Sequence, residues 1–580
     1  MTRLAARISI PSLALIVAIG CWLSSLVGVN LRSMNAVGLL SVMPVTFFAS
    51  LALLTAGFMF AFDRHPNRRL LLAGYLATLA TVIHGTPALL YGTVRYSWSW
   101  KHLGVVDFIQ RHGAVDPDAQ FLGIYHSWPG LFALTATVSD VTGIDPRTIA
   151  IWTPLVLTLL ELLALWLIFQ VLVDDQRIVW LGLWLFTVGN WVGQEYFSPQ
   201  GFTFLLYLTV LAVALPLERR VQGRRAGPAI GEGVGPTDGR GRVAVILFLL
   251  LVMATIVASH QLTPLMVVIT LTVAALFRAS RTMWLAIAGA AMTAAWIVGP
   301  AWSYVQREAS GFLDGVGSPP ETASASFLDT ERISAGQAAV VIGDRFLVQA
   351  MIVLALVGIV SRLLRRRSVG LLCGLLCAPA VLVATDYEGE VLFRVYLFAI
   401  PWLALAAAIA ITAVFDGQPA WFAQAARTAV AGLLLVGFLF AYLGKEASNY
   451  FTPGEVEVTT WLYEHAPPNT LLVEGSRNYP GSSRNYENFR YVAIGREPAD
   501  SQARIQADPE AAMYRWMSDD RFAASYLLIT RSQKAAEASV PSMPAGLLDE
   551  LERALRTSPR FRVVRQNSDA VVFALADGDQ

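Results

Sequence analysis

The residues best able to do chemistry in this chain are few, and they fall in four short polar islands between long apolar runs. RYSWSWKHLGVVDFIQRH (95–112) carries Lys101, His102 and Asp107, and QEYFSPQ (194–200) carries Glu195, Tyr196 and Gln200. SHQLTP (259–264) carries His260 and Gln261, and TDYEGEVLFRVY (385–396) carries Arg394. A carboxylate in such a place can accept a proton from a hydroxyl. An arginine can hold a phosphate through two parallel N–H bonds. Unpaired polar groups at the ends of apolar helices are costly, so four islands on one side point to a shared cavity.

Whether they share a side depends on the elements that carry them. The chain has 580 residues, 55% of them apolar and 15% charged, against roughly 25% charged in soluble domains. That composition is a membrane protein's, and a net charge of +1 argues against a nucleic-acid partner, whose phosphates require a clustered basic surface. Runs able to cross a bilayer of about 30 Å lie near 8–28, 38–62, 70–92, 149–172, 178–196, 201–217, 243–260, 262–277, 282–303, 341–361, 369–386, 391–414 and 425–444. The expected fold is therefore an α-helical polytopic membrane protein of about thirteen transmembrane helices. The basic N-terminus followed by an apolar run of span length reads as a retained first span. The three cysteines, Cys21, Cys373 and Cys377, lie inside apolar runs and read as small packing residues.

Basic residues accumulate in short cytoplasmic loops. With the N-terminus inside, 19 lie on the cytoplasmic side, RLLRRR (362–367) among them, against about nine in the opposite short segments. This orientation requires WPGLFALTATVSDVTG (128–143), too short to span, to lie along the outer surface as a helix. All four polar islands then face outward, and 97–112 reads as an amphipathic surface helix. GRRAGPAIGEGVGPTDGRGR (223–242) reads as a flexible cytoplasmic linker.

Three segments follow: two N-terminal spans over 1–69, a transmembrane module over 70–444 with outer loops at 93–148 and 304–340, and an extracytoplasmic α/β domain over 445–580. In that domain TPGEVEVTTWLYEHA predicts a helix capped by Thr452, TLLVEG and ASYLLITR predict buried strands, and LLDELERALR predicts a helix. FRVVRQNSDAVVFAL predicts a hairpin turning at Asn567 and Ser568. The segment EGSRNYPGSSRNYENFRY (474–491) has a composition suited to carbohydrate contact, or to an ordinary connection.

The sequence carries no G-x-x-x-x-G-K-[ST], G-x-G-x-x-G or G-x-S-x-G signature. Activation must then come with the substrate, and the lipid phase offers a sugar linked to polyprenyl phosphate. On Arg111-His112-Gly113, Tyr125 to Pro129, TGIDPRTIAIWTPLVLTLLELLALWLIFQ, EYFSPQ, HQLTP and FRVYLFAIPW, the chain resembles the GT-C superfamily of polytopic membrane glycosyltransferases from about Leu70 to its end. The resemblance implies transfer from a polyprenyl-phosphate-linked sugar to an envelope glycan, lipid or protein at the outer face of the plasma membrane. It departs from the family where an acidic residue is expected, for Trp98 and Ser99 stand there, so either the base has moved or activity is absent.

Transfer needs a carboxylate within about 3 Å of the acceptor hydroxyl, and a single displacement inverts the anomeric centre. Glu195 or Asp107 is the expected base and Arg394 the expected phosphate ligand. His260, Gln261, Lys101, His102, Tyr196 and Gln200 are further contacts. No metal set is read, and a divalent ion stays open. The competing readings are a lipid or polysaccharide transporter, an envelope polymerase and an inactive scaffold. Transporters tend to show repeats and midplane charges, and here only Glu161 fits that pattern.

Overall fold

The computed structural model describes residues 9–221, 239–278, 283–315, 334–384, 391–539 and 542–576. Most of the 223–242 linker, residues 316–333 of the 304–340 loop, and Asp386, Glu388 and Glu390 lie outside the described residues.

Each of the thirteen apolar runs contains helix. In chain order these are α1 (Ile10–Ser25), α2 (Val45–Arg64) and α3 (Arg69–Ala80), the last continued through a π turn (Thr81–Gly85) into α4 (Thr86–Tyr91). Three helices then lie between two spans: α5 (Ser97–His112), α6 (Gly123–Ser127) and α7 (Gly130–Thr142). The bundle resumes with α8 (Pro146–Leu172), α9 (Gln176–Gly189), α10 (Pro199–Val221), α11 (Gly239–Ser259), α12 (Thr263–Arg278), α13 (Met283–Val298) and α14 (Trp302–Gly315). It closes with α15 (Ala335–Leu364), α16 (Gly370–Cys377), α17 (Val391–Phe415) and α18 (Ala420–Leu443).

Among the described residues eight helices are long and apolar enough to cross a membrane, and α13 with α14, bent by 73°, makes a possible ninth. The chain is a multi-pass membrane protein. α1, α12 and the α16 region are apolar but shorter. The 13 residues of α7 agree with a surface helix rather than a span.

α17 is the central post of the bundle: 89% of its most apolar stretch is buried, against 22% for α15. A helix apolar all round belongs inside, and the alanines from Ala404 to Ala410 let neighbours approach closely. A Cβ on Gly358 of α15 would lie 2.0 Å from the Ala406 carbonyl oxygen.

The expected helices, strands and hairpin of the C-terminal part form, and a strand over Phe489–Ala493 and helices over Ala499–Ala507, Pro509–Met517 and Arg531–Ser539 join them. Thr452 caps α19 (Pro453–His465) in a reciprocal capping box with Glu455. The sheet comprises β1 (Thr470–Glu474), β2 (Phe489–Ala493), β3 (Ala524–Thr530), β4 (Phe561–Gln566) and β5 (Ala570–Leu575) in the order β2-β1-β3-β5-β4. β1 pairs in parallel with β2 and β3, while β5 is antiparallel to β3 and β4. Every residue of β1 and β5 is buried, because both faces of the sheet are covered. One face packs on helices around Met513, Leu547 and Leu551. The other shares a core with α5 and α7, joining Trp100, Val105 and Phe132 to Leu462, Leu472 and Val572.

The 474–491 segment makes this junction. Tyr486 bonds His126, Arg484 and Glu487 pair with Asp107 and Arg111, and Lys101 Nζ donates to the Arg477 carbonyl at 3.3 Å. Its tyrosines and arginines therefore grip α5 and α6. A Cβ on Gly104 would lie 1.9 Å from the Ser482 carbonyl oxygen, so only glycine lets α5 seat there. Gly104→Ala is expected to destabilise this junction by about 1–3 kcal/mol and to expose 474–491 to protease. Gly432→Ala, with open space around its Cβ, should leave the cleavage pattern unchanged.

Candidate active site

The 190–198 turn between α9 and α10 folds inward. Gly193 adopts φ +67° with its would-be Cβ 3.2 Å from the Tyr96 hydroxyl, a conformation glycine takes without strain. A Cβ on Gly201 would lie 2.4 Å from the Gln194 carbonyl oxygen, so the turn lies flat on the start of α10. Ser198 Oγ braces it, donating to Gln194 O at 3.2 Å and accepting from Gly201 N at 3.0 Å. Glu195 is left 3% exposed and Gln200 4%, so these are not solvated loop side chains.

Glu195 enters a buried network. Its Oε1 accepts from the Tyr442 hydroxyl of α18 and lies 3.7 Å from His84 Nδ1. The Tyr442 oxygen in turn accepts from Arg95 Nη1 at 2.8 Å and contacts His84 Nδ1 at 2.9 Å. With the tyrosine proton spent on Glu195, His84 carries its own proton on Nδ1. The π turn that carries His84 adds one residue to its helix, a device frequent at functional sites. Arg95 also donates to Glu446 Oε1 at 2.6 Å, and Tyr91 donates to Glu446 Oε2 at 2.7 Å. Glu195 Oε2 has no hydrogen-bond partner among the described residues. Burial raises the proton affinity of the Glu195 carboxyl, against the pull of Tyr442 and Arg95. A carboxyl whose proton affinity is raised in this way is suited to accepting a proton.

The other expected residues divide into three groups. Tyr196 lies between Tyr96 and His102, with ring centroids at 5.3 and 5.9 Å. His102 donates from Nδ1 to the Phe197 carbonyl at 2.7 Å, and burial lowers its pKa to about 4, leaving Nε2 a neutral acceptor. On the far side of α10, Thr203 meets Thr263 at 2.9 Å, and Thr263 meets His260 Nδ1 at 3.1 Å. Backbone N–H groups of Leu262 and Thr263 also point at Nδ1, so the His260 proton sits on Nε2. Burial and the nearby Arg394 charge lower its pKa to about 3. Gln261 follows it in the turn before α12.

Asp107 and Lys101 stand apart from Glu195 in the junction with the sheet. Asp107 pairs with Arg111 at 2.7 Å and Arg484 at 3.7 Å. Lys101 lies 4.3 Å from the Trp98 ring, and burial lowers its pKa to about 8 against the opposing charge of Glu474. Sequence reasoning missed Tyr442, Arg95, Glu446 and His84 as members of the site. The signal available was Arg95 and Glu446, two charges closing apolar runs 351 residues apart. Among the described residues no three His, Cys, Asp or Glu side chains gather as metal ligands.

No family model matches the chain, and no curated protein matches it. The apo oligosaccharyltransferase of Archaeoglobus fulgidus aligns over 84% of this chain and 73% of its own, at 12% identity and a TM-score of 0.52. The same enzyme tethered to an acceptor peptide containing the NVT sequon aligns over 83% and 72%, at 12% identity and a TM-score of 0.51. The chain has the GT-C fold. Apo ArnT from Cupriavidus metallidurans aligns over 87% of this chain and 97% of its own, at 11% identity and a TM-score of 0.45. Within this fold, the segment between α4 and α8 packs against both the 190–198 turn and the C-terminal sheet.

His126 ties that segment to the sheet domain. Its Nδ1 accepts from Asp116 N at 2.9 Å and its Nε2 meets the Tyr486 hydroxyl. Burial lowers its pKa to about 4, outweighing Asp116 and Glu487. The folded value lies below the ordinary 6.5 or so, so the unfolded chain takes up the proton first. This contribution is complete above about pH 6.5 and declines as pH falls toward 4, reaching on the order of 2 kcal/mol lost at pH 5. His126→Gln should flatten the dependence of Tm on pH between 7 and 5; an unchanged slope would show that His126 does not control it.

Proposed function

We propose that this protein is a membrane glycosyltransferase that moves a sugar from a polyprenyl-phosphate-linked donor to a hydroxyl of an envelope acceptor. One observation carries the reading: a buried carboxylate, Glu195, held through one oxygen by Tyr442 and without a partner at the other, in a chain of GT-C fold. The fold likeness supports it, since the A. fulgidus neighbour is an oligosaccharyltransferase solved with an acceptor peptide.

Glu195 Oε2 accepts the acceptor's hydroxyl proton as the acceptor oxygen bonds to the anomeric carbon. The bond from that carbon to the phosphate oxygen breaks, and its electron pair leaves with the phosphate. Arg394 and the Nε2–H of neutral His260 hold that phosphate. Tyr196, His102, Gln200 and Gln261 border the sugar. Attack opposite the leaving group inverts the anomeric centre. The excess of arginines on one face supports a cytoplasmic N-terminus, with the 445–580 domain and the site on the outer face.

The test is transfer of a labelled sugar from a synthetic polyprenyl-phosphate donor by the purified full chain in lipid nanodiscs. Transfer that is lost in Glu195→Gln is expected. Wild-type rates in that variant would refute the base assignment, and no transfer by the wild type from any such donor would refute the reading.

A further inference from the structure

A second space opens beside a small cleft formed by residues around the Glu195 network. The cleft itself, lined by His84, Arg95, Tyr96 and Tyr196, encloses about 10 Å³, room for about one water. The larger cavity shares Thr93 and Ile151 with it and holds about 560 Å³ between α8 and the sheet domain. Such a volume suits a ligand of several rings.

Its walls combine flat apolar surfaces with charged groups. Trp100, Ile151, Val456 and Trp461 supply the former, and Arg147 and Arg565 face across them. Arg565 is neutralised by Glu457 at 2.5 Å, and Glu464, also on the wall, pairs with Arg484. Arg147 has no carboxylate partner among the described residues, and its guanidinium lies 5.4 Å from the Trp100 ring centroid. It sits in the first turn of α8, where a cation opposes the helix dipole. Its charge therefore does not serve the helix, and it faces the cavity unneutralised.

Resting on the glycosyltransferase reading, the geometry points to this cavity as the acceptor site, and to an acidic carbohydrate as the acceptor. The apolar wall of Ile151, Val456 and the partly exposed Trp461 takes the C–H faces of sugar rings, the Thr93 and Thr460 hydroxyls and the wall carboxylates take ring hydroxyls, and Arg147, packed over the buried Trp100, takes the carboxylate or phosphate. A peptide added to the sheet edge is disfavoured. β4 is the edge strand here, and its register breaks between Val563 and Arg565, which turns the edge away from strand addition.

The experiment is isothermal titration of the full chain in nanodiscs with four probes: a glucuronate-containing tetrasaccharide, mannose 6-phosphate, maltotetraose and an acidic pentapeptide. The proposal expects the glucuronate or phosphate probe to bind at least tenfold more tightly than maltotetraose. Arg147→Ala should remove that preference, and Arg147→Lys should restore part of it. The two acidic probes separate carboxylate from phosphate as the recognised group.

Three results overturn the proposal: neither acidic sugar binds, the preference survives Arg147→Ala, or the peptide binds more tightly than both sugars. If sugar transfer from a lipid-phosphate donor persists beside any of these, the pocket assignment fails while the transferase reading stands. Acidic-sugar binding through Arg147 without transfer from any donor means the reverse.

Discussion

Glu195→Gln is expected to lower kcat for sugar transfer by about 10²–10⁴-fold, the usual contribution of a positioned general base. Glutamine keeps an oxygen for the Tyr442 hydroxyl, so the network around Arg95 and Glu446 stays closed and Tm should move little. The donor KM should also hold, because donor contacts are assigned to Arg394 and His260. Asp107→Asn is the matched comparison. Asp107 is committed to Arg111 and Arg484 in the junction with the sheet, and its replacement should cost less than about tenfold in rate. A larger loss in Asp107→Asn than in Glu195→Gln would move the base to the α5 segment and sink the assignment made here.

The second large effect is on stability. Arg95→Met leaves Glu446, which is fully buried, with its charge uncompensated. Breaking one side of such a pair costs about 3–5 kcal/mol, and a fall in Tm and in the midpoint of denaturant unfolding should report it. Arg95 also donates to the Tyr442 hydroxyl that holds Glu195, so transfer should fall too. The double variant Arg95→Met, Glu446→Gln removes the stranded charge and should regain much of the stability without regaining activity. If activity returned with stability, Arg95 would serve the fold alone. If Arg95→Met were as stable as wild type, the pair would not be the lock described.

Much of this was legible because local patterns decide it. A Thr-Pro start with glutamate three residues on makes a capping box wherever it occurs, and Thr452 to Glu455 does so here. The strands β1, β3 and β5 are short apolar runs between turns, and α5 follows the spacing of Trp98, His102 and Val105 to the predicted ends. The concentration of polar groups at 194–200 was readable, but it read as an outward-facing tip; that the turn folds inward and buries Glu195 and Gln200 was not. Nor was the assignment of 474–491, because Tyr486 and Arg484 find their partners in α6 and α5, more than 350 residues earlier.

By itself, the sequence determined the membrane class, the helices and most of the sheet domain, and it marked 194–200 as an unusual polar island, since hydropathy, periodicity and turn chemistry act between near neighbours. Only the tertiary structure decided which carboxylate stands in a buried network and which in an interdomain ion pair. Glu195 meets Tyr442 and His84 across 247 and 111 positions, and Asp107 meets Arg484 across 377. Side-chain charge and burial are set by what packs against a residue, and in a bundle closed by a distant domain those partners come from the whole length of the chain.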